Sequence, residues 1–263
     1  MGPVVSSNSN LVTKLPAIWR MLWSRLDMRP AKVQHARKPR NPPRLRTKRR
    51  TTDFANRTAV IMASGPSLSR DQLNHVEKRQ SEAPDQFVTI AVNNTYKRAP
   101  WASDLYACDP TWWTAYGARD FTGRKWSQAD NAAQYGATHV KCKPGSELNL
   151  YGDTIRTGGN SAFQAVNMAI LFGAKRVVIL GVDCQPTGGK LHWHEDHDTS
   201  KRLSNPNPGT YRIWLDAWDN AARQLKERTD VEFINASAQS ALQSWPRLTI
   251  EEALKEPLDG WRT

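Results

Sequence analysis

The segment Arg176-Val177-Val178-Ile179-Leu180 limits the fold most: after its first residue it is apolar on both faces, and it stops at Gly181-Val182-Asp183. A strand of that kind has to be covered on both sides, which is how parallel sheets in α/β proteins are built. Thr58–Ala63 has the same character and runs into Ser64-Gly65-Pro66-Ser67. Gln86–Val92 closes on Asn93-Asn94 and Asp104–Cys108 on Asp109, while Thr138–Cys142 and Val231–Ile234 read as further strands. Helical spacing lies between them: Leu68–Arg79, Tyr211–Arg228, and Asn160–Phe172 with Ala162, Ala165, Val166, Ala169 and Ile170 on one face. Strands alternating with helices, without internal repeats, predict an α/β fold: a Rossmann-like, doubly wound, mainly parallel sheet with helices on both faces.

A basic N-terminal extension precedes that pattern. Residues 1–50 hold 13 of the 37 Lys and Arg and one of the 25 acids, Asp27, so the rest of the chain balances at 24 of each. The whole net charge of +12 therefore belongs to the arm, and a pI of about 9.8 says little about the body. Within the arm, about 12–28 reads as an amphipathic helix with Leu15, Ile18, Trp19, Leu22, Trp23 and Leu26 on one face. Residues 29–50 read as a Pro- and Arg-rich linker. Such an arm suits a peripheral membrane surface, a partner protein or non-specific nucleic-acid contact. Residues 51–263 form the expected nucleotide-binding catalytic domain. No apolar run approaches the roughly 18 residues of a membrane span, and no secretory signal pattern is present. Cys108, Cys142 and Cys184 lack CxxC spacing and read as reduced thiols, so a cytoplasmic location is expected, in the host cell if the chain is phage-encoded.

In an open parallel sheet, ligands bind beyond the carboxyl ends of the strands. Ser64-Gly65-Pro66-Ser67, Asn93-Asn94, Asp109 and Asp183 all occupy such ends. Gly65 permits a sharp turn and a close approach, Pro66 suits the first helical position, and Ser64 or Ser67 can cap the helix or meet a phosphate. Amides at a helix start favour an anion. Arg156-Thr157-Gly158-Gly159-Asn160 offers a second glycine loop with a cation, although its glycines are equally explained by tight packing. His192, His194 and His197 fall within the loop His192-Trp193-His194-Glu195-Asp196-His197, and an extended chain puts His192 and His194 on one face. Their spacing matches no standard zinc signature, and a general base or phosphate contact is expected from them in preference to bound zinc. Tyr106, Trp112 and Trp113 can stack on a base or sugar, with core packing as the default.

The motifs VIMASGPSLS, AVNNTYKRAP, LYACDPTWW and TGGNSAFQAVNMAILFGAKRVVILGVDC, with the histidine loop, resemble one superfamily. It unites bacterial sialyltransferases, motility-accessory-factor glycosyltransferases and the archaeal 6-hydroxymethylpterin diphosphokinase. The pattern is closest to short, uncharacterised members of tailed phages, and the resemblance spans about residues 57–240. It implies that Ser64 to Ser67 and Thr157 to Asn160 cradle a donor phosphate. It further implies that Asn93 or Asn94 and Asp109 contact the donor, and that Asp183 borders its pocket. One position departs: the sialyltransferases carry a general-base histidine ahead of the penultimate helix, and here the stretch reads Gly209-Thr210-Tyr211-Arg212-Ile213. The sialyl substrate is therefore not carried over, and the base falls to His192, His194 or His197.

The leading expectation is a glycosyltransferase-like enzyme with a CMP- or UDP-linked sugar donor. One alternative is an ATP- and Mg-dependent diphosphokinase in which Asp183 and Asp109 hold the metal. The other is a non-catalytic nucleotide-binding phage protein, since a fold alone does not fix a function.

Overall fold

The computed structural model describes residues 54–228 and 230–255. The expectations for the arm, 1–50, lie outside them. Seven strands form one sheet: β1 (Thr58–Met62), β2 (Phe87–Val92), β3 (Asp104–Tyr106), β4 (Arg124–Ser127), β5 (Ala137–His139), β8 (Arg176–Leu180) and β9 (Glu232–Asn235). Their order is β5-β4-β3-β2-β1-β8-β9 and every neighbouring pair is parallel. β6 (Lys141–Lys143) and β7 (Thr154–Arg156) form a separate parallel ribbon. The helices are α1 (Arg70–Glu82), α2 (Pro110–Tyr116), α3 (Ser161–Leu171), α4 (Pro208–Arg228) and α5 (Ile250–Ala253).

Alternation along β1 shows how the two faces are divided. Ala59 and Ile61 join a core with Phe163 and Val166 of α3 and Trp218 and Ala221 of α4. Val60 and Met62 join a second core with Leu73 and Val76 of α1 and Trp112 and Trp113 of α2. Both faces are covered, so the fold is the doubly wound α/β arrangement that the apolar strands predict. No helix among the described residues is long and apolar enough to cross a membrane.

The differences from expectation have physical causes. The Thr138–Cys142 run divides at buried Val140: His139 ends a strand of the large sheet and Lys141 opens the ribbon. β4, with the polar sequence Arg-Lys-Trp-Ser, gives no apolar signal and is held by its pairing to β3 and β5. α1 begins not at Leu68 but after Ser69, whose hydroxyl accepts from the Gln72 amide while the Gln72 side chain accepts from the Ser69 amide. That reciprocal cap satisfies two orphan donors, which moves the start of the helix four residues past Pro66.

Candidate functional site

Strand order reverses between β1 and β8: the strands that follow β1 are added on one side of it, and β8 and β9 on the other. A crevice opens at the carboxyl ends of these two strands, with about 100 Å³ of space inside its walls before it widens into solvent. Its walls come from the turn after β1 (Ser64, Gly65), the end of β2 (Asn93), the start of α3 (Asn160, Ser161, Ala162), the segment after β8 (Gly181 to Gln185), His192, and Tyr211, Trp214 and Trp218 of α4. An adjoining hollow, shared through Cys184, Leu191, Pro206 and Tyr211, extends toward Arg212 and Leu215.

The turn after β1 does not hold its amides open for a ligand. Gly65 N donates to Gly181 O at 2.7 Å. Ser67 N and Ser67 Oγ donate to the Asp183 carboxylate at 2.9 and 2.6 Å, and Thr187 Oγ1 donates to it at 2.8 Å. The anion gripped by the turn is the protein's own Asp183, which is 2 % exposed and whose pKa burial raises. A Cβ on Gly65 would lie 2.3 Å from Asp183 Oδ1 and 2.3 Å from Gly181 O, so glycine is needed here for contact between two loops. Of the expected cradle, Pro66 is not in the first helical position and Ser67 serves Asp183, while Ser64 and Gly65 line the crevice. Asp183 lines the crevice as well, but three donors already take three of the about four acceptor positions of its carboxylate.

The second glycine loop divides. Arg156 Nη1 donates to Pro144 O and Thr157 Oγ1 to Gly145 O, so both belong to the β6–β7 ribbon and not to the crevice wall. Gly158 has φ +50°, and a Cβ there would sit 2.0 Å from the Phe163 ring; Gly159 takes a hydrogen bond from Trp214 Nε1 on its carbonyl. Packing accounts for both glycines. Asn160 does reach the crevice, and its Oδ1 caps the Phe163 amide at 2.8 Å. The next two amides, Ser161 and Ala162, cannot be paired inside the helix. Both residues line the crevice, at the N-terminus of a helix that is buried along its whole length.

The paired asparagines also separate. Asn93, with φ +50°, lines the crevice and its Oδ1 is buried without a partner. Asn94 turns away, accepts from Trp112 Nε1 at 2.9 Å, and lies 3.5 Å from His194 Nε2. Asp109 is exposed at the start of α2, makes no side-chain cap, and is not part of the crevice wall. Trp112 and Trp113 are 1 % and 0 % exposed, which is core packing. The aromatic wall comes instead from Tyr211, Trp214 and Trp218, whose three- and four-residue spacing on α4 was legible in the sequence.

The histidine loop is anchored by Trp193, which donates from its amide to Ser64 O at 3.0 Å and from Nε1 to Thr95 Oγ1 at 3.2 Å, beneath the Arg98 guanidinium. His192 and His194 flank it with stacked rings, centroids 4.8 Å apart. His197 closes the group at 4.7 Å from His192 and 5.0 Å from His194. Burial, then the neighbouring His194 and His197, push His192 down to about 3, against a hydrogen bond with Asn205. Burial likewise pushes His194 down to about 4, with His197, Lys97 and Arg98 adding to it and the Glu195 carbonyl opposing. Burial lowers His197 too, while Asp109 and Asp196 hold it up. All three rings are neutral near pH 7 and can accept a proton, but at about 3 and 4 His192 and His194 are weak bases.

Among the described residues all three cysteines are free, and burial pushes Cys108 and Cys184 up to about 12 and Cys142 to about 11, so none is a reactive thiolate. Taken together, the fold and crevice define an α/β protein with a cleft at the switch point of its sheet. Comparison with protein-family models, with curated proteins and with solved structures finds no match for the chain.

Proposed function

We propose that the crevice binds a nucleotide-linked donor through a single phosphate and that the protein is a group-transfer enzyme of the glycosyltransferase-like kind. One observation carries the reading: three buried polar atoms without partners, Asn93 Oδ1, Tyr211 Oη and Trp218 Nε1, belong to residues of this one crevice. Buried polar groups are almost always paired, so several unpaired ones among the lining residues of a crevice that Ser161 and Ala162 also line mark a place for a polar ligand. The helix start supplies partial positive charge for an anion. No Lys or Arg lines the crevice among the described residues, which favours a singly charged phosphodiester, as in a CMP-linked sugar, over a di- or triphosphate. Half-buried Trp214, set edge-on to Tyr211 at 5.5 Å, offers a face for a base. The motif resemblance to glycosyltransferases points the same way.

On this reading the Ser161 and Ala162 amides stabilise the phosphate as its bond to the anomeric carbon breaks, while the acceptor oxygen, entering from the His192 side, bonds to that carbon and its proton passes to the departing phosphate. The ATP- and Mg-dependent alternative loses its carboxylate pair, since Asp183 is committed to Ser67 and Thr187 and Asp109 lies outside the crevice wall. A thermal-shift panel of CMP, UDP and ATP, with and without magnesium, tests the reading. At about 100 times its dissociation constant, a ligand adds roughly 2.7 kcal/mol to the folded state. CMP without magnesium should raise Tm, and Asn93→Asp, which keeps the left-handed backbone but adds an anion to the wall, should weaken CMP at least about 10-fold. A shift only with ATP and magnesium, or none with any nucleotide, overturns it.

A further inference from the structure

We propose that His192, His194 and His197 form a binding site for one divalent transition metal of the zinc class, with three imidazole ligands and a fourth position open toward the crevice. One ring nitrogen from each histidine lies within 4.8 Å of the others. Tetrahedral zinc with Zn–N bonds of about 2.0–2.1 Å needs nitrogens about 3.3 Å apart. The nitrogens therefore have to close by up to about 1.5 Å around the ion.

The hydrogen bonding leaves lone pairs where a metal needs them. His194 Nδ1 sits 2.6 Å from the Glu195 carbonyl. A carbonyl only accepts, so the proton is on Nδ1 and the lone pair on Nε2, the tautomer control that ligating histidines show. Nε2 meets only the long contact from Asn94 Nδ2 at 3.5 Å. His192 Nε2 and His197 Nδ1 are both buried with no partner. A stacked pair of imidazoles with a third tilted about 55° to both, two of the three with orphaned nitrogens, makes poor use of its polar atoms unless a cation is bound.

The supporting contacts are fixed to the body of the fold. Trp193 ties the loop to the end of β1. Asn205 exchanges two hydrogen bonds with the His197 backbone, at 2.8 and 3.1 Å. Trp112 holds the Asn94 amide toward His194. Asp109 and Asp196 lie close enough to His197 to interact with its charge and would offset that of a cation. The ligand set is all nitrogen, which suits zinc, cobalt, nickel or copper over magnesium or calcium. Three protein ligands with one position left is the arrangement of zinc sites that act on a bound group, and His192 stands in the crevice wall.

The test uses the full-length, tag-free chain, stripped with a chelator and titrated with Co²⁺. One equivalent should bind, with visible ligand-field absorption of a four- or five-coordinate nitrogen site that Zn²⁺ abolishes. His194→Ala should weaken binding by more than the roughly 100-fold that loss of a supporting hydrogen bond costs, and His139→Ala, outside the cluster, should leave it unchanged. Should the cluster variant fail to fold, the wild type still decides: Zn²⁺ should protect His192, His194 and His197, but not His75 or His139, from diethyl pyrocarbonate. No cobalt absorption, retained affinity in a folded His194→Ala, or labelling indifferent to zinc overturns the proposal. The CMP thermal shift, repeated with chelator present, reads the donor crevice independently of the metal, so failure of one reading is distinguishable from failure of the other.

Discussion

Replacing Asp183 with alanine removes the acceptor of three hydrogen bonds at once. Ser67 N, Ser67 Oγ and Thr187 Oγ1 are 2.9, 2.6 and 2.8 Å from its oxygens. Bonds to a charged group contribute about 1.5–3 kcal/mol each, or roughly 4–9 kcal/mol for the set. Against this, the carboxylate is 2 % exposed and its pKa is raised by burial, so alanine also removes a desolvation cost of a few kcal/mol. The expected net loss is about 3 kcal/mol, or roughly 6–12 °C in Tm for a domain of this size. Thermal unfolding followed by circular dichroism of wild type, Asp183→Ala, Ser67→Ala and the double variant measures it. Because the two side chains share one network, the double variant should fall short of the sum by about 1 kcal/mol or more. An Asp183→Ala protein that melts within about 2 °C of wild type while nucleotide binding collapses would show that the carboxylate serves the ligand and not the turn.

Gly158→Ala should cost about 2–4 kcal/mol in urea unfolding, because φ is +50° and the new methyl meets the Phe163 ring at 2.0 Å; a neutral result refutes the packing role. Arg124→Met breaks the contacts of Arg124 Nε and Nη2 with fully buried Asp104, both 2.9 Å. The carboxylate keeps Ser103 and Trp126, so a loss of about 2–3 kcal/mol is expected, and one under about 0.5 kcal/mol contradicts the pairing. The histidines fix the sign of one pH effect: folded values of about 3 and 4 lie below the unfolded 6.5. Their stabilisation is complete above pH 6.5 and is lost as pH falls toward 4 and 3. In chelator-treated protein Tm should drop over that range, less steeply in His192→Gln. Asp183, with its pKa raised above 3.8, works in the opposite sense, its share being lost as pH rises from there.

Much of the sheet was legible locally. β8 falls on Arg176–Leu180 as the apolar run dictates, and β1 and β2 are within a residue of their runs. β4 was not, because Arg124 and Lys125 carry no strand signal until β3 and β5 pair with them. At the site, the sequence places Ser64, Asn93, Asp109 and Asp183 at strand ends, but position along a strand does not say what a side chain meets. Ser67 and Asp183 are 116 residues apart and bond directly, while Asn93 and Asn94, adjacent in sequence, face a cavity and a tryptophan.

Periodicity and apolar runs by themselves determine a two-faced parallel sheet and the turns at its carboxyl edge, because both follow from local backbone geometry and the burial each segment demands. Only the tertiary structure decides which amides stay open. It gives the first turn to Asp183 and leaves the start of the helix at Ser161 facing the crevice, since hydrogen bonds between distant segments are settled by how the loops pack. It also gathers three imidazoles that an extended loop places near one another but cannot aim.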